Sequence, residues 1–547
     1  MKKILLVLIV FLVLFLTVRG IPGNPNKINM NDPKWVEGPF ELSPERGRFA
    51  LTFSLVEDKS FEFGLPVARF ATPDLGYING KFVSIFAPGI SFLTIPGYKL
   101  GKLLGLSQVG VFATISLFAS INVLLIFLIA KKLGAAVKYS LLAALVFLFA
   151  TPAFTYGVTL YQHHVSVFLL LLTFWTYLSY KGALANWFIW FLIALSIPVD
   201  FPNFFLMIPM ALLVLTRTFP IEDKLRALEI NFRPAYFLAI LGVVLPALFF
   251  LWVNMESYGN AFQLSGGLTN VKSIDSQGLP HKDFLLGDNN LNDFRSVEPI
   301  KNSNVLGFFN SRNISRGLYV NLFSPDRGML LFAPILIFSL IGAKVMYKKE
   351  TKAFSVLLMV GLINLFVYSM WGDPWGGWAY GARYLIPLYA VLSIFLAFGI
   401  EKILRIKALN IVFSVVLVYS ILINTLGAVT TSANPPQVEV LQLESLSGKQ
   451  EKYTPERNWD FLREKGSKSF VYQKYFSKNL TPFQFYIIIA LVVSCLLFGV
   501  SYYEFFVERI FKRYFVIEFT GIESTHKAKE RFAELLEGDN RGIWKER

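Results

Sequence analysis

The chain has 547 residues, of which 54% are hydrophobic and only 16% charged, with a formal net charge of +15; its mean hydropathy is +0.52. Soluble domains are about a quarter charged, so this balance excludes an ordinary soluble enzyme and points to an integral membrane protein. The single cysteine, Cys495, excludes an intrachain disulfide and a thiolate-rich metal site. The basic excess implies no nucleic acid, because Lys and Arg of membrane proteins collect in cytoplasmic loops.

Spanning the hydrocarbon core takes about 20 apolar residues. Twelve segments qualify, near 3–18, 107–130, 137–157, 162–180, 184–198, 201–216, 235–254, 329–346, 353–371, 383–400, 408–428 and 484–504. The first, with Lys2 and Lys3 ahead of it and no small-x-small site behind it, reads as a retained helix rather than a cleaved signal. With the N-terminus inside, the inner loops hold Lys131 and Lys132; Lys181; Arg217, Lys224, Arg226 and Arg233; Lys348, Lys349 and Lys352; and Lys402, Arg405 and Lys407, followed by Arg509, Lys512 and Arg513. Every short basic cluster falls on one side, which places both termini in the cytoplasm. The expectation is an all-α polytopic protein of the cell membrane with about twelve transmembrane helices.

Its organisation follows: a first transmembrane helix at 1–18, a long outer loop at 19–106, transmembrane helices at 107–254, an outer loop at 255–328, transmembrane helices at 329–428, an outer polar segment at 429–483, a last helix at 484–504 and a cytoplasmic tail at 505–547. Within the first loop, "GRFALTFSLVEDKSF" and "PGISFLTIPGYKLGKLLG" carry apolar residues at helical spacing and read as interfacial helices.

Sorted by side, the unusual polar residues gather outside. "TLYQHHVSV" starts a helix with His163 and His164, "SIPVDFPNF" turns with Asp200 between two prolines, and "LFSPDRGML" carries Asp326 and Arg327. "WGDPWGGWAYGARYLIP", residues 371–387, adds Trp375, Trp378, Tyr380 and Arg383; the first loop adds Glu45, Arg48, Glu57, Asp58 and Asp74. A charge at the centre of a spanning helix costs roughly 2.5–3.5 kcal/mol, so charges at helix ends should face a wet cavity or one another. Plainer readings stand beside this one. The aromatic residues of 371–380 suit an interfacial belt, the histidines suit helix-end hydrogen bonding, Asp200 suits a helix cap, and Glu57 and Asp58 suit a solvated helix face. No Walker A loop, dinucleotide fingerprint or zinc spacing is present; a divalent metal held by carboxylates stays open.

The long first outer loop, its "PERGRFALTFSLVEDKSF" followed by "TPDLGYINGKFVSIFAPGISFLTIPGY", and the late "WGGWAYGARYLIP" resemble the GT-C superfamily of membrane glycosyltransferases. The branch they are most similar to contains the protein O-mannosyltransferases and the lipid A aminoarabinose transferase. The resemblance implies transfer of a sugar from a polyprenyl or dolichyl phosphate carrier to a hydroxyl acceptor (protein, lipid or glycan) on the extracytoplasmic face. It implies a base in the first loop within a stretch like Asp-Glu-x-Arg-Tyr-Ala. On "ERGRFA" the first acid falls on Glu45, the second on Arg46 and the arginine on Arg48. Asp74 is the second candidate for the base. A carboxylate deprotonating the acceptor and an arginine fork on the leaving phosphate would complete an inverting reaction. Arg383, Arg327 and Arg48 are the candidates for that fork, with Trp375, Trp378, Tyr380, His163, His164 and Asp200 for sugar or carrier binding. The competing expectation is a transporter or flippase for a lipid-linked or small polar substrate, which should show paired broken helices and charges at the midplane.

Overall fold

The computed structural model describes residues 2–32, 38–72, 74–224, 227–230, 232–271, 273–274, 280–281 and 309–505. The tail helix expected after 505, the basic residues Arg226, Arg509, Lys512 and Arg513, and most of the loop at 255–328 lie outside them. The chain divides into a unit Met1–Ser494 and a unit Cys495–Arg547; of the second only the end of the last helix, Pro482–Phe505, is described.

Helices lie over all twelve expected segments, but among the described residues six are long and apolar enough to cross a membrane: Ser107–Lys132, Pro234–Tyr258, Thr351–Ser369, Arg383–Arg405, Lys407–Val429 and Pro482–Gly499. Shorter apolar helices occupy Lys3–Thr17, Val137–Phe149, His163–Ser179, Ala183–Leu195 and Asn203–Thr218. The segment near 329–346 is broken into Met329–Phe332, a 3-10 turn Pro334–Phe338 and Ser339–Lys349. Pro334 forces the break, having no N–H to continue the ladder.

Without a hydrophobic drive between helices in lipid, packing rests on close backbone approach at small residues. A Cβ at Gly342 would sit 1.7 Å from the carbonyl oxygen of Phe395, so Ser339–Lys349 and Ile386–Arg405 touch backbone to backbone there.

The contacts sort the helix ends. Arg19, Glu41 and the turn at 430–434 meet at one end, together with the starts of His163–Ser179 and Arg383–Arg405. At the other end, Lys344, Lys348, Lys349 and Lys402 line one groove with Gly134 and Tyr139. Lys352 there donates to Thr216 Oγ1 at 3.2 Å.

The first loop departs from an all-α reading. Glu62–Phe63, Lys81–Ser84, Leu75–Ile78 and Thr269–Val271 form, in that order, a four-stranded antiparallel sheet. Its central hairpin turns at Asn79-Gly80, both at positive φ. Asn-Gly between alternating residues is the strongest short hairpin signal, and "LGYINGKFVS" contains it. Of the two expected interfacial pieces, the second contains the helix Ile95–Leu103, with Leu100, Leu103 and, just after it, Leu104 exposed. The first does not lie along an interface. Ser43–Phe53 buries Glu45 and Gly47 through Phe53, and its Phe49 packs against Phe40 and Phe70, making it a core helix. At its end Glu57 accepts from Lys102 and from Tyr98, and Asp58 pairs with Lys27 at 2.7 Å, so both acids tie loop pieces together.

Candidate active site

Helix Ser43–Phe53 begins at a proline-assisted start, Pro44 standing where a backbone N–H would have no partner. One turn of helix then presents Glu45, Arg46 and Arg48. Glu45 is fully buried; its Oε1 accepts from the Leu160 N–H at 3.1 Å, while Oε2 has no hydrogen-bond partner. Burial pushes its carboxyl above the ordinary range, aided by Glu41 nearby and opposed by Arg19. Desolvation favours the neutral carboxyl and so makes the ionised carboxylate a stronger base; it is that ionised form that can take a proton.

Arg48 reaches from the same helix to the segment 160–163. Its Nη2 donates to Gln162 Oε1 at 2.6 Å and its Nη1 to the Pro44 carbonyl at 2.8 Å; Nε is buried with no hydrogen-bond partner. The guanidinium lies 5.5 Å from the Tyr161 ring and 4.9 Å from that of Phe86. Burial lowers its pKa to about 10, so it stays charged at neutral pH. Arg383 arrives from the turn 371–382. Its Nη2 donates to the Gly376 carbonyl at 2.6 Å, its guanidinium sits 4.7 Å from the Tyr161 ring and 5.3 Å from that of Tyr384, and Nε and Nη1 are buried without a hydrogen-bond partner. Two buried cations beside one ring, with donors still unmet, are costly unless an anion joins them.

Asp200 supplies a carboxylate beside them. Tyr368 donates to its Oδ2 at 3.4 Å, and burial raises its pKa to about 6 against the pull of Arg48, Gln162 and Arg383. It lines a tight recess, with room for little more than a water molecule, together with His163, Asn203, Asn364, Tyr368 and Tyr384. Tyr368 and Tyr384 stack at 4.4 Å there, and His163 stacks on Tyr161 at 5.8 Å with its Nε2 unpartnered. An apolar groove of about 860 Å³, lined by Trp190, Ile193, Ile197, Pro198, Phe204 and Phe250 among others, comes within two residues of Asp200 at Pro198.

The turn 371–382 is shaped by Asp373, whose carboxylate accepts from the Trp375 and Gly377 N–H groups. Gly376, Gly377 and Gly381 all have φ between +60° and +71°; each glycine serves the left-handed backbone of the turn, a region closed to most side chains. The three tryptophans diverge. Trp371 packs on Phe309 and Tyr368. Trp375 is buried under the Arg316 guanidinium at 4.4 Å. Trp378 is 43% exposed and donates to Glu439 at 2.7 Å.

Several candidates stand apart from this cluster. Arg327 is buried, with Nε on the Trp375 carbonyl, Nη1 on the Asp326 carbonyl and Thr454 Oγ1, and Nη2 on the Gly377 and Asn434 carbonyls. It fastens the turn and has no donor direction left for a phosphate. Tyr380 is buried against Phe332 with its hydroxyl on the Ile423 carbonyl. His164 is buried, its Nε2 2.7 Å from the Ala153 carbonyl oxygen, and packs on Phe147. Asp74 sits at the start of the catalytic-candidate helix, its Oδ2 accepting from Ser43 Oγ at 2.5 Å. Among the described residues no group of three His, Cys, Asp or Glu is placed to hold a metal ion.

Three residues join the site that sequence reading passed over. Glu41 accepts from Arg19 at 2.7 Å and from the Ser432 N–H at 2.9 Å, with Lys468 at 3.5 Å; Arg19 and Lys468 hold its carboxyl below the usual range against the opposing pull of burial. Tyr161 lies beside both arginines, and Gln162 holds Arg48. Glu41 and Arg46 also line an open groove with Trp378, Phe461, Lys465 and Lys468. "LYQHH" carried the signal for Tyr161 and Gln162, but their role depends on Arg48 and Arg383 arriving from distant segments.

No protein-family model matches the chain, and no curated protein matches it in sequence. Among solved structures it is similar to ArnT from Cupriavidus metallidurans, in the apo state at 12% identity and a TM-score of 0.40, over 90% of this chain and 76% of that one. With the same protein bound to undecaprenyl phosphate the values are 11%, 0.38, 91% and 77%. With the Archaeoglobus fulgidus oligosaccharyltransferase in complex with Zn and sulfate they are 13%, 0.40, 82% and 56%. ArnT is a lipid A aminoarabinose transferase, of the branch that the sequence resembles; at these TM-scores no residue or activity is carried across.

Proposed function

We propose that the protein is an inverting membrane glycosyltransferase that takes a sugar from a polyprenyl or dolichyl phosphate and passes it to a hydroxyl acceptor at the extracytoplasmic face. The observation that carries this reading is the pair of buried guanidiniums, Arg48 and Arg383, with unmet donors beside Tyr161 and with Glu45 and Asp200 close by. An anion completes that arrangement, and a carrier phosphodiester supplies one. The neighbouring recess carries hydroxyl, imidazole and carboxylate groups of the kind that bind sugars, and on this reading it widens to admit one. The apolar groove ending at Pro198 suits an isoprenoid tail.

On this reading Glu45 Oε2 takes the proton of the acceptor hydroxyl as its oxygen bonds to the anomeric carbon. The bond from that carbon to the phosphate oxygen breaks, and the lipid phosphate leaves on the two arginines. Preorganised charge at the leaving group and a positioned base each contribute about 10²–10⁴-fold in comparable sites. Glu45 is enclosed in the described state, so the first loop has to shift from Leu160 for the acceptor to reach it. Trp378 and Arg46, in the open groove, lie where the acceptor would approach.

The test is sugar release and transfer from a panel of short-chain polyprenyl phosphate sugars, by wild type and Glu45→Gln. Consumption of one donor by wild type and a loss of at least about 10²-fold in Glu45→Gln is the expected result. Consumption of none, with no donor binding, returns the chain to the transport reading.

A further inference from the structure

At the end of the helix bundle away from the candidate active site, three helical elements leave an open groove. Its walls are Gly134–Ala136 with Tyr139, the face Leu340, Ile341, Lys344, Val345, Lys348 of helix Ser339–Lys349, and Ala397, Phe398, Glu401 and Lys402 of helix Ile386–Arg405. The last two helices touch backbone to backbone at Gly342, where a Cβ would meet the Phe395 carbonyl. The basic ends of both helices lie beyond that contact, from Lys344 and Glu401 onward. The apolar part of its lining is Leu340, Ile341, Val345 and Phe398; Phe398 is buried and Leu340 is 68% exposed.

The same lining carries Lys344, Lys348, Lys349 and Lys402. The one acid there, Glu401, is already paired with Arg405. A positive-inside bias accounts for lysines at helix ends, but not for four of them converging on one apolar cleft from two helices. A diacyl lipid with an anionic headgroup matches both halves of the cleft, acyl chains against Leu340 and Ile341 and phosphodiester among the ammonium groups. Basic pockets between transmembrane helices hold anionic headgroups in this way.

We propose that this groove is a binding site for an anionic phospholipid of the leaflet at the basic end, separate from the carrier-lipid site. A phosphatidylglycerol-type headgroup is the class that fits. The proposal is independent of the glycosyltransferase reading.

Two measurements test it. Purified full-length protein is titrated with phosphatidylglycerol and with phosphatidylcholine of the same chains, and bound lipid is counted by native mass spectrometry. Wild type should retain one phosphatidylglycerol with at least about tenfold preference. Lys344→Gln/Lys348→Gln/Lys402→Gln should bring that preference close to unity, while Lys131→Gln/Lys132→Gln, charges at neighbouring helix ends outside the groove, should keep it. Equal retention of both lipids by wild type, or an equal loss in both variants, overturns the site. So does competition by glycerol phosphate at the lipid's own concentration, since the headgroup alone would then suffice. The second measurement needs no variant: phosphatidylglycerol with a photoreactive acyl chain should label 134–139, 339–349 and 397–402 in preference to the other membrane helices. Uniform labelling of the helices overturns the proposal.

Discussion

Arg48 and Arg383, one from the first loop and one from the turn before a late transmembrane helix, bring their guanidiniums to 5.5 and 4.7 Å from the same ring, that of Tyr161. Neither is neutralised by a direct ion pair among the described residues. The ring's electron-rich face offsets part of the repulsion, and an anionic substrate would offset the rest.

Replacing either arginine should therefore act on the donor. Arg383→Ala is expected to lower kcat/KM by about 10²–10³-fold. Arg383→Lys should recover part of it, because it keeps the charge and loses the planar fork. Arg48→Ala should lower kcat/KM as well and, unlike Arg383→Ala, also loosen the first loop, since Arg48 holds Gln162 and the Pro44 carbonyl. Steady-state kinetics with one donor at varied concentration separates the two. A KM and kcat unchanged in Arg383→Ala would remove it from the site.

Asp200 gives a prediction in pH. Its carboxyl titrates at about 6, above the ordinary 3.8, because burial disfavours its charge. If the ionised form holds a sugar hydroxyl, activity should rise as pH climbs through about 6, and Asp200→Asn should lack that limb. The stability effect has the opposite sign. A raised folded pKa means protons favour the fold, so the contribution is full below about 3.8 and lost as pH rises through about 6. At pH 7 Asp200→Asn should thus be the more stable protein, by about 1–3 kcal/mol, while being less active. Thermal unfolding and a pH–rate profile on the same preparations check both; a variant that is less stable as well as less active contradicts the burial argument.

How far these groups were legible in the sequence differs by residue. Helix positions were, since a run of about 20 apolar residues has few alternatives in lipid. That Glu45, Arg48, Asp200 and Arg383 deserved notice was legible too, because charge at a membrane helix end demands an explanation; that they lie near one another was not. That the hydrogen bonds of Arg327, Tyr380 and His164 are taken up within the fold was not legible: an arginine that donates to five oxygen acceptors and one with donors to spare read alike until the carbonyls are placed. Glu41 was missed because its partners Arg19, Ser432 and Lys468 lie far off in the chain. The hairpin at Asn79-Gly80 was legible from its turn residues and was outweighed by helical periodicity around it.

The Arg19–Glu41 pair should matter for stability. Both side chains are buried, at 0% and 5% exposure, and removing one member of a buried pair leaves the other uncompensated, a cost of about 3–5 kcal/mol. Glu41→Gln is expected to lower Tm clearly. For wild type the folded pKa of Glu41 is depressed below 4.5, so its contribution is present above pH 4.5 and lost as pH falls through the folded value. Acid unfolding of wild type should be steeper there than that of Glu41→Gln. Coincident acid transitions in the two proteins would show the pair to be dispensable.

Arg327 provides the contrast to Arg383. Its five hydrogen bonds, to the carbonyls of Asp326, Trp375, Gly377 and Asn434 and to Thr454, clamp the turn 371–382 onto the segment after helix Lys407–Val429. An ammonium group offers three donors and cannot span that set. Arg327→Lys should cost about 1–3 kcal/mol for each polar partner left unmet, with an earlier thermal transition. Below that transition, donor KM should stay within about threefold of wild type, because no donor of Arg327 points toward the substrate; a buried scaffold residue acts on the population of folded enzyme rather than on the bound complex. Measuring Tm and donor KM in detergent, before and after addition of donor, distinguishes the two arginines. A large KM increase with Tm unchanged would mean that Arg327 leaves its carbonyls to meet the phosphate.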